Sequence, residues 1–499
     1  MKELKKNKYK ILRNRRVMPL PAIWNGKSQS SEGARNIHHV ALKKIWNYLE
    51  NEEIIAFYIG EEWTDIGEYI AKRMIEDKKY IPNVYKLQRE RGRFLVLLSK
   101  EIRRLKLGNL NLDQLFAEYQ KIENAWVDFD HVNMPTWLIG GEYFQIKLKN
   151  KLGMLGISEE EIYTLLTPNE LSFSAKEELG ILKIALKLKS DLRSNKKWIL
   201  SGDARRGMAA LVKKYHWIPF GYDGPDLYDT KYYEKAVREM VEKMNSREIK
   251  QKIEKIDSYS SKIKERQGKI FAKYHLSKEL RRQIKIIQTL AKMTDERKEY
   301  TFQSHIAFQG VIEHIARILG HDCLVLKHLI LDEIRQYQND PKKIIKLGEE
   351  RMKSPVMFYR HDGKLDIITG PRAKKMFKEM IGEDVASDGL ILKGSVGSKG
   401  SVPIVRGIVR ILSTPQEMNK LKDGEILVTA MTTPEYVPAM RRSLAIITDE
   451  GGVTCHAAIV SRELGKPAII GTKIATKFLK NGEFIEMDMK KGQIKKLAQ

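Results

Sequence analysis

The residues best suited to covalent chemistry lie in one contiguous stretch near the carboxyl end of the chain, residues 448–472. A short apolar run is followed there by the glycines Gly451 and Gly452 and then by a single histidine, His456. Histidine can act as a covalent nucleophile that splits one difficult group transfer into two easier steps. The stretch therefore directs attention to His456 as a carrier of a transferable group.

The residues on either side of His456 predict a turn followed by a helix. The glycine pair at 451–452 permits the dihedral angles of a sharp turn. Thr454 is a suitable N-cap, and Gly465 with Pro467 would end the helix. His456 would then lie in the first turn, where the helix pole disfavours imidazolium and favours a bound anion. This predicts a neutral imidazole beside a phosphate nest, although a histidine that only packs or caps remains an open alternative.

A longer motif carries a resemblance to a known family. Residues 451–468 read GGVTCHAAIVSRELGKPA, which matches the motif of the phosphohistidine swivelling domain. That domain is shared by phosphoenolpyruvate (PEP) synthase, pyruvate phosphate dikinase and rifampicin phosphotransferase, which are grouped as the PEP-utilising enzyme family. The segment from Gly394 to Gly492 resembles the whole domain, and its Thr-Cys-His triplet is closest to the PEP synthase form.

The resemblance implies a role for His456 as the residue that is transiently phosphorylated while its domain swings between two active sites. It also implies supporting positions in the phosphate nest and the motif, namely Gly451, Gly452, Thr454, Cys455 and Ala457. Thr454 is in addition a candidate for regulatory phosphorylation, because a phosphate two residues from His456 would compete for the same nest. An N-cap role is the favoured interpretation of Thr454.

The complete enzymes also contain an ATP-grasp domain and, in the synthase and the dikinase, a TIM barrel. A TIM barrel needs ~250 residues, and residues 1–380 predict mostly helices, so neither domain is evident. We therefore expect a separate ATP-grasp or PEP-site protein to supply the phosphoryl group from ATP or PEP, with Mg²⁺ at that donor site. The expected acceptor is a small molecule. No metal site and no bound cofactor are predicted for this chain.

The predicted architecture is multidomain, with a mostly α-helical N-terminal region and a C-terminal α/β swivelling phosphohistidine domain. Three regions are expected: a helical region of unknown role (1–245), a helical linker or docking region (246–383) and the swivelling domain (384–499). Apolar residues at three- and four-residue spacings predict helices at 84–105, 111–126 and 175–192. The highly charged segment 232–300 suggests a long exposed helical hairpin, and Asp362-Gly363 indicates a β-hairpin near 355–369.

The last 115 or so residues alternate strands and helices. Predicted strands lie at 403–413, 425–430, 444–449, 467–472 and 484–488, and predicted helices lie at 415–421, 435–441, 456–464 and 474–479. The glycine-rich stretch at 394–401 lacks the spacing of a P-loop and is interpreted as a turn. These expectations give a compact α/β domain.

Composition limits the class of protein. The chain has 499 residues, a formal net charge of +26 and 42% hydrophobic residues, which argues against general disorder. Its two cysteines, Cys323 and Cys455, cannot form a disulfide scaffold. No apolar run reaches the ~18 residues of a membrane span, and we expect a cytoplasmic location.

Two alternative functions stay open at this point. The chain could be a non-catalytic regulatory or binding module that retains the swivelling domain as a recognition surface. It could also be a basic helical protein that binds nucleic acid through Lys2–Arg16, although no nucleic-acid motif accompanies the charge, so this alternative is disfavoured. A membrane partner is not expected.

Overall fold

The computed structural model describes residues 9–16, 24, 27–28, 30–50, 53–136, 140–194, 202–221, 224, 226–361, 364–381, 391–400, 402–432, 436–452 and 455–497. The chain forms two compact units. One unit comprises Met1–Arg73, Leu112–Phe144 and Ile312–Gln499, and the other comprises Met74–Asn111 and Gln145–Val311. The boundaries expected at residues 245 and 383 remain a prediction.

Helices dominate the chain before residue 391. They are α1 (Glu32–His38), α2 (Gly60–Glu76), α3 (Tyr80–Arg104), α4 (Leu112–His131), α5 (Gly140–Met154), α6 (Glu159–Leu166), α7 (Phe173–Ser194), α8 (Gly202–Tyr215), α9 (Thr230–Lys243), α10 (Ser246–Asp257), α11 (Tyr259–Lys273), α12 (Lys278–Leu319), α13 (Cys323–Leu326), α14 (Leu331–Arg335), α15 (Pro341–Lys353) and α16 (Pro371–Ile381). Three more follow: α17 (Val437–Arg442), α18 (His456–Leu464) and α19 (Ala475–Phe478). The mostly helical character expected of this region is confirmed.

The three amphipathic helices predicted from residue spacing are confirmed as α3, α4 and α7. The long helical hairpin suggested for 232–300 is wrong, because that segment belongs to four helices, α9 to α12. Local capping interrupts it: Asn245 and Glu248 form a capping box at the start of α10. The buried side chains of Tyr233 and Ile249 show that these helices also pack inward.

A five-stranded antiparallel sheet lies in the first unit, with strand order β1-β3-β2-β4-β5. Its strands are β1 (Tyr9–Arg16), β2 (Lys44–Glu50), β3 (Glu53–Ile59), β4 (Val356–His361) and β5 (Lys364–Thr369). The hairpin predicted near 355–369 is confirmed as β4 and β5, and its turn residues lie outside the described part. The strands β1, β2 and β3 were not predicted within this mostly helical region, and β2 pairs with β4, some 300 residues further along the chain.

An eight-stranded sheet forms the C-terminal region, with strand order β6-β13-β12-β8-β9-β10-β11-β7. Its strands are β6 (Ile391–Lys393), β7 (Ser395–Ser398), β8 (Ile404–Ile411), β9 (Ile426–Thr429), β10 (Ala445–Thr448), β11 (Ala468–Ile470), β12 (Phe484–Asp488) and β13 (Gln493–Lys496). The four neighbours β8, β9, β10 and β11 run parallel. All five strands predicted here are confirmed.

The turn predicted at 394–401 is wrong, because Ser395–Ser398 forms β7 and pairs antiparallel with β11. Its glycine permits close packing: a Cβ on Gly397 would lie 3.2 Å from Ala458 Cβ and 3.2 Å from Ile470 Cγ2. The small residue thus lets α18 approach the edge of the sheet.

The parallel strands are buried on both faces, as their continuous apolar runs require. Ile426, Ile447 and Ile469 share one hydrophobic cluster with α19. Leu427 and Ile446 belong to the opposite cluster, which includes residues of α17 and α18. Among the described residues, no helix combines the length and the apolar character needed to cross a membrane.

Candidate functional site

Three loops meet where β9, β10 and β11 end. The Asp449 amide donates to the Thr429 carbonyl at 3.2 Å. The Glu450 amide donates to the Ala430 carbonyl at 2.8 Å, and the Lys473 amide donates to the Asp449 carbonyl at 2.9 Å. Because carboxyl ends of parallel strands share one edge, these backbone bonds fix the loops relative to one another.

Helix α18 begins at this edge. His456 is its first residue, as predicted, and Gly465 ends it in the left-handed conformation with φ of 66°. Val460 and Leu464 pack against the cluster beneath the parallel strands. The buried apolar side of the helix thereby fixes where its amino end lies.

The predicted N-cap is corrected. Cys455, not Thr454, caps α18: its Sγ accepts a hydrogen bond from the Ala458 amide at 3.4 Å. Thr454 lies outside the described residues, so its proposed regulatory role remains a prediction. A thiol next to a helix start is a weaker acceptor than a hydroxyl, which is why sequence preference pointed to the threonine.

The imidazole of His456 is held by a residue from a different loop. Its Nδ1 lies 2.8 Å from Thr432 Oγ1, just beyond the end of β9, and the ring is half-buried. This contact ties the histidine to the end of a neighbouring strand, 24 residues away in sequence. The ring is thus oriented by tertiary structure as well as by its helix.

The glycine loop before α18 is closely packed. Gly451 has φ of 121°, and a Cβ there would lie 2.6 Å from Cys455 Sγ. A Cβ on Gly471, where φ is 67°, would lie 2.6 Å from the Gly451 carbonyl oxygen. Both positions require glycine, because other residues would combine an unfavourable conformation with a collision.

The predicted phosphate nest is partly occupied by internal bonds. The Cys455 amide donates to the Gly452 carbonyl at 2.9 Å, and the Ala458 amide donates to Cys455 Sγ. Ala457 is buried, with 2% of its surface exposed, and packs beside Ile470. Anion binding by this loop therefore remains a prediction.

Asp449 is a buried carboxylate between the loops. Its Oδ1 accepts hydrogen bonds from the Thr476 amide at 3.1 Å and from Thr472 Oγ1 at 3.2 Å. Its Oδ2 accepts a bond from the Thr476 hydroxyl. Burial raises the pKa of Asp449 to about 6, against the effect of these hydrogen bonds. The side chain connects the glycine loop to the loop that follows β11.

Sequence reasoning missed both Thr432 and Asp449 as site residues. Thr432 begins the Thr-Thr-Pro sequence at 432–434, upstream of the motif, and Asp449 directly follows the apolar strand β10. Polar residues directly after buried parallel strands gather at one edge, so this placement was an available signal.

The described part of the chain contains no group of three or more His, Cys, Asp or Glu side chains placed to hold a metal ion. The groups described at the edge are an imidazole, hydroxyls, the buried Asp449 carboxylate and backbone amides. Such a set suits transient covalent attachment of a group to His456.

The sequence around this site is similar to that of known proteins. The family described as "PEP-utilising enzyme, mobile domain" matches residues 421–492, which include β9 to β12 and α18. A protein of Archaeoglobus fulgidus named "Probable phosphoenolpyruvate synthase" is 51% identical over 126 residues, 25% of this chain and 16% of that protein.

Two further relatives match a similar share. A "Probable phosphoenolpyruvate synthase" of Pyrococcus abyssi is 48% identical over 140 residues, and a "Phosphoenolpyruvate synthase" of Pyrococcus furiosus is 46% identical over 140 residues. Each alignment covers 28% of this chain and 17% of the relative, so the chain spans less than a fifth of the curated relatives it matches. Residues 421–492 of this chain are thus similar to the mobile domain of PEP-utilising enzymes.

Proposed function

We propose that the chain is a phosphotransferase component in which His456 carries a phosphoryl group between a donor site and an acceptor. The observation that supports this most directly is the contact between His456 Nδ1 and Thr432 Oγ1, at 2.8 Å, at the start of α18. It orients a half-buried imidazole at the edge where three loops converge. A mobile domain that matches PEP synthases supports the same role.

The contact also assigns the two ring nitrogens. When Nδ1 carries the proton and donates it to Thr432 Oγ1, the lone pair lies on Nε2. We assign Nε2 as the nucleophile: its bond to phosphorus forms as the bond from phosphorus to the donor oxygen breaks. Transfer to the acceptor reverses the process and returns His456 to its neutral form.

We assign the donor site to a separate ATP-grasp or PEP-site protein. The family match covers the mobile domain at residues 421–492, which in this proposal carries the phosphoryl group and does not bind its donor. Mg²⁺ would enter with ATP or PEP at that partner, where it neutralises charge on the transferring phosphoryl group. The acceptor that fits this scheme is a small molecule.

Phosphorylation of the purified full-length chain tests the proposal. The chain is incubated with ATP or PEP carrying a labelled transferable phosphoryl group, with and without cell extract. We expect acid-labile, base-stable label on the wild type, and loss of that label in His456→Ala. The matched control is His314→Ala, a half-buried histidine of α12, which should retain it.

Two outcomes contradict the proposal. One is label that survives His456→Ala. The other is the absence of acid-labile label under every condition, including extract from cells that express the protein. A chain whose biological function persists in His456→Ala would instead support the non-catalytic regulatory or binding module.

A further inference from the structure

A cavity lies within the unit formed by Met74–Asn111 and Gln145–Val311, and the phosphoryl carrier makes no use of it. Its volume is about 380 Å³, within the ~300–1,000 Å³ of small-molecule pockets. It lies between the end of α2, the first turns of α3, the loop after α6, and α12. It is therefore large enough for a compact organic ligand.

The inner wall of the cavity is apolar. Met74, Ile81 and Ile286 line it and are 1%, 4% and 7% exposed. The wall also includes the ring of Tyr85, whose hydroxyl donates to Glu296 at 2.8 Å and so fixes the ring. A ligand with an apolar body would displace water from this surface, which favours its binding.

The charges at the cavity are mainly positive. Four basic residues line it, Lys78, Arg282, Lys285 and Lys292, against the two acidic residues Asp77 and Glu170. A concave surface with an excess of one charge attracts ions of the opposite sign. The four basic and two acidic residues of the lining leave a small positive excess, which favours an anion.

Two of the basic groups already have carboxylate partners. Arg282 donates from Nε and Nη2 to Glu279, at 3.0 and 2.8 Å. Lys292 lies 2.6 Å from Glu170 Oε2. A planar guanidinium is the group best suited to bind a ligand carboxylate through two parallel hydrogen bonds. The Arg282 guanidinium already donates to Glu279, so it is less available to a ligand.

Lys78 and Lys285 line the cavity and are exposed to solvent. A lysine ammonium acts as a point charge with three donors and pairs well with a phosphate. Asn169 and Thr289 also line the cavity and add neutral polar groups. This combination of mobile ammonium groups and an apolar wall fits a phosphate attached to an apolar body.

We propose that this cavity binds an organic phosphate, with the phosphate at Lys78 and Lys285 and the organic body against Met74, Ile81 and Ile286. The site is independent of the phosphoryl carrier proposed above, and its ligand is bound without covalent change. A nucleoside monophosphate is a suitable probe, because it joins both features in one small molecule.

Isothermal titration calorimetry of the full-length chain with AMP, adenosine and inorganic phosphate, at constant ionic strength, tests the inference. We expect one AMP site with a Kd of about 0.1–1 mM, and binding of adenosine and of phosphate at least about tenfold weaker. The same AMP affinity in His456→Ala would separate this site from the carrier histidine.

The double variant Lys78→Glu/Lys285→Glu should weaken AMP binding by at least about tenfold, because it replaces attraction with repulsion. The matched control is Lys250→Glu/Lys264→Glu, which makes the same charge change at exposed positions of the same unit, outside the cavity lining. It should leave the affinity within about twofold of wild type.

Three outcomes overturn the inference. These are no detectable binding of AMP, equal affinity for AMP and inorganic phosphate, and equal weakening by the control pair. Without AMP binding there is no such site. Equal affinity for AMP and phosphate would mean that the apolar wall contributes nothing to binding, and equal weakening by the control pair would mean that only the net charge of the protein matters. None of them affects the labelling of His456, so failure here leaves the proposed function untouched.

Discussion

The two sheets of this protein differ in strand direction, and the difference locates the chemistry. In the eight-stranded sheet, β9, β10 and β11 run parallel and end at one edge, where Thr432, Asp449 and His456 are brought together. In the five-stranded sheet, neighbouring strands are antiparallel, so their carboxyl ends alternate between edges. Parallel strands concentrate loops on one side, which is where a site can be assembled.

The two sheets also differ in the role of their side chains. Trp46 in the five-stranded sheet stacks between Phe57, with ring centroids 5.7 Å apart, and Tyr359, at 4.9 Å. This aromatic stack serves packing, and we assign it no chemistry. The eight-stranded sheet is built entirely from residues 391–496, so we expect its site to withstand damage to the other sheet.

The largest expected effect is on stability, in a variant that tests whether the eight-stranded sheet is independent of the five-stranded sheet. Trp46→Ala should lower the stability of the five-stranded sheet by about 3–5 kcal/mol, because it empties a buried site that is 3% exposed in the wild type. Hydrogen exchange in peptides that span β2 to β5 measures the loss. Phe94→Ala, at a position 60% exposed, is the control and should change little.

Labelling of His456, per folded molecule, should persist in Trp46→Ala. A parallel loss of labelling and of sheet stability would show that the two sheets depend on each other.

The next effect concerns the buried carboxylate. Burial raises the folded-state pKa of Asp449 from 3.8 to about 6. Between these two pH values the folded protein keeps a proton on Asp449 that the unfolded chain releases. Stability from this group is therefore greatest below pH 4 and falls as the pH rises through 6. The shift corresponds to about 3 kcal/mol.

Asp449→Asn removes this titration. As the pH rises from 4 to 7, the free energy of unfolding of the variant should increase by about 2–3 kcal/mol relative to that of the wild type. Hydrogen exchange in peptides covering 445–480 measures this difference. Glu486→Gln, which removes a carboxylate on β12, serves as the control. An unchanged difference between variant and wild type across this range would show that Asp449 does not titrate there.

A smaller effect is expected at the contact that orients the imidazole. Thr432→Val keeps the shape of the side chain but removes its hydroxyl, so labelling of His456 should slow by about threefold to tenfold. Thr432→Ser restores the hydroxyl and should recover most of the rate. Equal rates in valine and serine variants would exclude a role for the hydroxyl.

The smallest effect is expected at the N-cap. Cys455→Ser replaces a weak sulfur acceptor, 3.4 Å from the Ala458 amide, with a preferred N-cap residue. The helix α18 should gain about 0.5 kcal/mol while labelling stays near the wild-type rate. A marked loss of labelling would mean that the thiol itself has a role.

Much of the C-terminal region could be predicted because its signals are local. The strands are continuous apolar runs bounded by turns, and α18 begins and ends at the predicted residues. The strand β7 was missed because Gly397 suits a turn when seen in sequence, whereas in the fold it allows close contact with Ala458. The strands β1 to β3 were missed because β2 finds its second partner, β4, some 300 residues away.

The sequence by itself determined the motif, the histidine and the helix that begins with it, since these depend on residues within a few turns of one another. Tertiary structure decided which hydroxyl holds the ring, which carboxylate is buried beside the glycine loop, and which strands complete each sheet. Thr432 and His456 are 24 residues apart. Thr432 follows β9 and His456 follows β10, and the parallel pairing of these two strands brings the segments after them to the same edge. Residue spacing specifies local conformation, whereas contacts between distant segments depend on how the whole chain buries its apolar surface.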